Sequence, residues 1–222
     1  MILAIDTATR WLGLALHDGT AVLAEHGWRA INTQTVELTP AIAQILDRGG
    51  LTADDLKGIA VAIGPGSYTG LRVGLGVAKG LALANQKPLM GVSTLDIVAA
   101  SLGPSDSQLI VTAEAGRTRI IAGVYQWHDR HGWQSEGQPE IETWEELLAG
   151  LERPSLIAGE VPQKAVQMIR KMGKEIQVAP AAVSVRRAGY LAELGWQRLK
   201  KGKTDDASTL APIYLRNPDG SK

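Results

Sequence analysis

The sequence contains no cysteine and no phenylalanine. Without cysteine there is no disulfide, no thiolate metal site and no cysteine nucleophile, which suits a reducing compartment. An excess of charge of either sign is missing too: 23 basic residues balance 23 acidic ones among 222. A chain that grips RNA by itself carries a basic surplus or stripe, so any dealing with nucleic acid is expected to run through a partner. No apolar run approaches the roughly 18–20 residues of a membrane span, and no membrane association is expected. Met1 leads straight into a short apolar stretch ending at Asp6, without the charged start and cleavage site of a signal peptide. The expected location is therefore the cytoplasm. The four histidines, His17, His26, His128 and His131, form no His-Glu-x-x-His pair, which argues against a metalloprotease and leaves no expected metal site. Glycine, by contrast, is abundant at 25 residues, above the usual ~7%.

Apolar spacing divides the chain into alternating strands and helices. Ile2–Asp6 and Trp11–His17 read as a hairpin across a polar turn, with a third strand near Ala21–Trp28. Thr35–Arg48 has helical spacing through Leu38, Ile42, Ile45 and Leu46, and Gly49-Gly50 ends it. Gly58–Ile63 reads as a buried strand, and the turn Gly64–Gly70 leads into a helix reaching Asn85. A strand over Pro88–Val92 and a helix over Thr94–Leu102 complete the first half. The polar stretch at 103–108 is the best linker, giving an expected first lobe over 1–102 and a second over 103–222. The second half opens again with strand, turn, strand (Leu109–Glu114, Arg119–Trp127), then a strand over Leu156–Glu160. Helices over Pro162–Met172 and Val183–Lys200 follow. The repeated opening suggests an internal duplication. The basic run at 200–203 suits a solvated helix end.

The most informative segment is Gly64-Pro65-Gly66-Ser67-Tyr68-Thr69-Gly70-Leu71-Arg72-Val73-Gly74. Glycine permits positive φ and close backbone approach, Ser67 or Thr69 can cap the next helix, and helix N-termini favour anions. A phosphate-facing loop and a merely tight strand-to-helix turn are both open at this point. The helix itself carries Gly74, Gly76 and Gly80, each costing about 1 kcal/mol against alanine. A close-approaching backbone would explain that cost. Leu71, Leu75, Val77, Ala78, Leu81 and Ala82 leave few polar faces, so a subunit interface as well as a core is expected.

Ile5-Asp6-Thr7-Ala8, the glycine-rich segment and Gly91-Val92-Ser93-Thr94-Leu95 together closely resemble the TsaB (YeaZ) family of tRNA threonylcarbamoyladenosine biosynthesis proteins, in the family's order and spacing. Ile213-Tyr214-Leu215-Arg216 is also similar. The resemblance implies an α/β chain with the two-lobed actin-like, sugar-kinase and heat-shock-chaperone ATPase fold, made of duplicated ribonuclease-H-like lobes around a nucleotide cleft. It implies a non-catalytic role beside the catalytic paralogue TsaD, with a small ATPase, TsaE, as third member and tRNA contacted through the complex. The expected docking surface is Leu38, Ile42 and Ile45 of the first helix, with Leu71, Arg72, Gly74, Leu75, Ala78 and Lys79 of the second. The same helices could pair two copies of this chain.

Relatives of the TsaD type bear two metal-binding histidines, which align with Thr94 and Val98. Threonine is a poor substitute for imidazole and valine cannot coordinate. Their phosphate loops align with Glu114-Ala115-Gly116-Arg117-Thr118 and Ala158-Gly159-Glu160-Val161. Here Glu114 and Glu160 place carboxylates near phosphate positions. Like charges about 4 Å apart cost about 1 kcal/mol in water and ~4 at an effective dielectric of 20. The expectation is degenerate phosphate loops at Asp6, Thr7, Gly64, Gly66, Ser67, Glu114, Gly159 and Glu160, with weak nucleotide binding at most and no catalytic residue. TsaB relatives often show Asp-Ala-Arg where this chain has Glu114-Ala115-Gly116-Arg117, which leaves the role of that turn open. The alternative is an active kinase or ATPase of the same fold, using Asp6 to orient a metal-bound water.

Overall fold

The computed structural model describes residues 1–215 except Asn32, Arg117 and Lys174. Arg117 and Arg216, both used above, thus lie outside the described residues. The chain forms two compact units, one from Met1–Ile97 with Arg187–Ile213, the other from Val98–Arg186 with Tyr214 and Leu215.

In the first unit β1 (Ile2–Asp6), β2 (Trp11–His17) and β3 (Val22–Arg29) form an antiparallel meander. After α1 (Gln34–Arg48), β4 (Gly58–Gly64) pairs parallel with β1. α2 (Tyr68–Ala84) returns the chain to β5 (Leu89–Ser93), giving the order β3-β2-β1-β4-β5, and α3 (Thr94–Ala99) leads away. Alternation along the strands sorts side chains by face. Leu3, Ile5, Leu12, Leu14, Leu16, Ile59 and Val61 pack under α1 and α2. Ala4, Ala15, Ala60 and Ala62 look the other way.

The second unit repeats this topology. β6 (Gln108–Glu114) and β7 (Arg119–His128) form the hairpin. β8 (Gly132–Ser135) and β9 (Glu140–Thr143) share the third-strand place along β7. α4 (Trp144–Ala149) starts at a reciprocal cap between Thr143 and Glu146. β10 (Ser155–Gly159), α5 (Gln163–Lys171), β11 (Ile176–Val178) and the single turn α6 (Ala181–Ser184) complete the unit. Its order, β8-β7-β6-β10-β11, is that of the first sheet. The duplication read from sequence is therefore a duplication of architecture.

The last helix, α7 (Ala188–Lys200), corrects two expectations. The helix expected over Val183–Lys200 is broken by extended backbone at Val185 and Arg187. The second lobe also does not run from 103 to 222, because α7 belongs to the first unit. The reason is steric. The small-residue face of the first sheet lets a helix approach closely, and α7 answers with Ala188, Ala192 and Gly195. A β-carbon on Gly195 would lie 2.5 Å from that of Ala60. Polar clamps fix the helix lengthwise. Glu25 of β3 accepts from the N–H of Gly189 at 2.9 Å and from the Arg187 guanidinium, which raises the arginine pKa. Past α7, Asp205 pairs with Arg198 and accepts from the Gly91 N–H at 2.7 Å, so the segment borders β5. The Ile213 N–H reaches the Ile63 carbonyl at 2.7 Å.

The β2–β3 turn gives a pH test. The Asp18 carboxylate accepts from the Thr20 hydroxyl and from the amides of Thr20 and Ala21, which lowers its pKa from 3.8 to about 2. A depressed carboxyl pKa contributes stability that is complete above the unfolded value and is lost as pH falls through the folded one. Thermal midpoints of the wild type and Asp18→Asn should therefore differ at pH 6 and converge as pH drops from about 4 to about 2. A gap that persists at the lowest pH would show that the carboxylate is not what holds the turn.

Candidate functional site

The glycine-rich turn packs on the chain's own β1–β2 turn. The Ser67 N–H donates to the Ala8 carbonyl at 2.6 Å, and the Thr7 hydroxyl donates to the Gly70 carbonyl at 2.7 Å. Ser67 caps α2 by accepting from the Gly70 N–H at 3.3 Å. A β-carbon at Gly66, Gly70 or Gly74 would sit 2.1–2.3 Å from the Ala8 carbonyl oxygen, the Thr7 carbonyl oxygen or the Thr7 hydroxyl. Gly64 has φ +108, with the Ile213 carbonyl beside it. Asp6, fully buried, accepts from the Ala8 N–H at 2.8 Å through Oδ1. Of the first-lobe phosphate candidates, the structure thus brings Asp6, Thr7, Gly66 and Ser67 together around Ala8 and Gly70. At Gly74 what comes close is the Thr7 side chain rather than a backbone; backbone approaches this closely at Gly66 and Gly70, and there it is this chain's own.

The second-lobe candidates also converge. The Glu114 N–H donates to Glu160 Oε2 at 2.7 Å, and Gly159, at φ +97, sits against the Thr112 backbone. Thr94 is buried, its hydroxyl without a partner among the described residues, and Val98 is buried and apolar. Among the described residues no group of three or more histidines or carboxylates is placed to hold a metal ion.

The expected docking residues need correction. Leu38, Ile42, Ile45, Leu75 and Ala78 are buried in the first unit's core under α1 and α2, and Leu71 is buried in the same unit. Gly74 is closed by Thr7. Only Arg72, exposed, and Lys79, half-buried, reach the surface. Helical periodicity identified the apolar face but could not say whether this chain or another covers it. The outward face of α2 is a stripe that shares only Arg72 with the expected set. It runs from Tyr68 (55% exposed) through Arg72, Gly76 and Gly80 to Leu83 (64%). The Arg72 guanidinium lies 3.8 Å over the Tyr68 ring. β-Carbons on Gly76 and Gly80 would meet nothing within 4 Å. The sequence signal for this stripe was the four-residue spacing of Arg72, Gly76 and Gly80. α1 also exposes one large apolar side chain, Val36 (68%).

The two glycine classes should separate in stability. Gly70→Ala forces a methyl into the Thr7 backbone and should cost about 2 kcal/mol or more. Gly76→Ala and Gly80→Ala should each stabilise the isolated chain by roughly 0.5–1 kcal/mol. Denaturant midpoints of the three variants decide this, and destabilisation by Gly76→Ala would mean that the outward face is covered in the free protein.

Similarity to known proteins agrees with this geometry. The family described as TsaD, tRNA N6-adenosine threonylcarbamoyltransferase, matches residues 29–220. The tRNA threonylcarbamoyladenosine biosynthesis protein TsaB of Bacillus subtilis is 34% identical over 97% of this chain and 93% of its own length. A crystal structure of a Pseudomonas aeruginosa protein with similarity to the peptidase YeaZ superposes with TM-score 0.80 at 25% identity, over 97% of this chain and 99% of that one. Component A of (R)-2-hydroxyglutaryl-CoA dehydratase from Acidaminococcus fermentans shares the fold, with TM-score 0.55 at 12% identity over 90% and 98%. With its duplicated strand order, the chain has the actin-like, sugar-kinase fold. It belongs to the TsaB family of tRNA threonylcarbamoyladenosine biosynthesis proteins, within the wider TsaD family.

Proposed function

We propose that this chain is a non-catalytic subunit in the formation of threonylcarbamoyladenosine next to the anticodon of tRNA, and that it docks the catalytic paralogue TsaD through the outward face of α2. The observation that carries the docking is the Tyr68–Leu83 stripe. Two exposed helical glycines together cost about 2 kcal/mol against alanine, yet a β-carbon on either would meet none of the described residues within 4 Å. Helix axes approach according to the size of the side chains between them, so Gly76 and Gly80 suit a second helix at short range. Tyr68 and Leu83 supply apolar anchors at the two ends, and Arg72 is held ready by its stacking on Tyr68.

The non-catalytic reading draws support from buried Thr94 and Val98, which offer no imidazole, and from an Asp6 carboxylate turned onto its own turn. In this reading no nucleotide is tightly held, TsaE completes the assembly, and tRNA is met through the complex in the cytoplasm. Without TsaD, the same stripe pairs two copies of this chain. Among the described residues no helix is long and apolar enough to cross a membrane.

The test is a reconstituted tRNA threonylcarbamoylation reaction with TsaD and TsaE, including or omitting this chain. Product should require the chain, which alone should neither turn over ATP nor modify tRNA. Gly76→Leu with Gly80→Leu should leave the chain folded, abolish the complex on a sizing column and cut product roughly tenfold or more, equivalent to about 1.4 kcal/mol of docking. Ile42→Asp should instead unfold the first unit, since a charge in that core costs several kcal/mol. An intact, active complex from the double leucine variant would remove α2 from the interface. ATP turnover by the isolated chain would restore the enzyme reading.

A further inference from the structure

The second unit holds a carboxylate at the point where its hairpin turn begins. β6 ends at Glu114, whose N–H donates to Glu160 Oε2 at 2.7 Å. Glu160 follows Gly159 at the end of β10, the parallel neighbour of β6. At Gly159 a β-carbon would lie 2.2 Å from the Thr112 carbonyl oxygen, so only glycine lets the chain turn here. The Glu160 N–H then donates to that carbonyl at 2.9 Å, and the Thr112 hydroxyl donates to the carbonyls of Ala158 and Glu160, both at 3.2 Å. With its backbone fixed this way, Glu160 sends Oε1 to Arg186 Nη1 at 3.4 Å. The Arg186 side chain is only 4% exposed, whereas that of Glu160 is 26% exposed.

A buried guanidinium needs an anionic partner, and a guanidinium set beside a backbone N–H is a donor pair that also suits phosphate oxygens. The first unit closes its equivalent turn differently, with Asp6 taking the Ala8 N–H from within the turn itself. In the second unit the carboxylate arrives from another strand and can be removed without altering the turn sequence.

We propose that Glu160 is a built-in anion. Its carboxylate fills an oxyanion position made by the Glu114 N–H and Arg186, and thereby excludes inorganic phosphate or the phosphoryl group of a nucleotide from the second unit. The proposal deepens the non-catalytic reading by naming the group that stands in for phosphate, and its test is independent of TsaD and of tRNA modification. A phosphate that did approach would meet the carboxylate charge and find both donors occupied.

The experiment is a titration of the full chain and of Glu160→Ala with sodium phosphate, against sodium chloride of matched ionic strength. Thermal midpoint and phosphorus NMR linewidth are the readouts. The variant should gain saturable binding, with a midpoint rise of about 3 °C at ten times its dissociation constant, while the wild type shows none. Glu160→Gln keeps an oxygen for the Glu114 N–H but not the charge, and should bind phosphate more weakly than Glu160→Ala. A folded Glu160→Ala that ignores phosphate overturns the proposal, as does a wild type that binds phosphate equally well. Should the alanine variant fail to fold, hydrogen exchange on the wild type decides. The Glu114 amide should be protected, and exchange at the rate of an open loop would sink the proposal.

Discussion

Between the turn after the first strand and the opening of α2 there is no room for a methyl group. Gly66, Gly70 and Gly74 each face Thr7 or Ala8 at a distance that no β-carbon tolerates, and the Thr7 hydroxyl and Ser67 amide bond across the contact. That closeness fixes where α2 starts and how it lies over β1 and β4. Leu75, Ala78 and Ala82 are thereby aimed into the core with Leu38, Ile42 and Ile45 of α1. Once those faces are committed inward, the stripe from Tyr68 to Leu83 can only look outward. The outward exposure of that stripe thus follows from a contact made inside the first unit.

The opposite side of that sheet obeys a related constraint. Its alanines make a shallow surface that a small-faced helix can approach, and α7 meets it with Ala188, Ala192 and Gly195. Close packing of this kind favours dispersion contacts over large buried side chains. Direction and register then fall to polar groups: Glu25 at the start of α7 and Asp205 after its end. Glu25 takes the place of a local cap, since the residue before α7 is an arginine that makes no side-chain cap bond.

Much of this was legible in sequence, because strands and long helices announce themselves through short-range pattern. The first two strands, α1 and α2 fall within a few residues of their expected bounds, and the repeated hairpin foretold two units of one topology. β8, β9, α4 and β11 were not foreseen. Three of them are strands of three or four residues, too short for any period, although the Thr143-to-Glu146 capping signature marked α4. The return of α7 was missed for another reason. Its signal is distributed over Ala4, Gly13, Ala15, Ala60 and Ala62, whose shared face exists only after the sheet has formed. The docking residues failed for a third reason. An apolar helical stripe says that something covers it, and local spacing cannot distinguish an intramolecular cover from a partner.

The same reasoning, turned round, gives weight to what lies outside. Leu75 needs no partner, because the core already buries it. Gly76 and Gly80 gain nothing from the core, cost helix stability, and are not required by any neighbour among the described residues. A helix that kept alanine at both positions would be more stable alone, so the glycines are a net loss in the free chain. A surface that closes over α2 can recover that loss only if its own backbone comes nearer than two methyl groups would permit. On the proposed docking, this restricts the partner's geometry more tightly than apolar exposure at Tyr68 and Leu83 does, since those side chains can turn to suit many shapes. Affinity at this face should therefore depend more on what is absent at two positions than on which large side chains surround them.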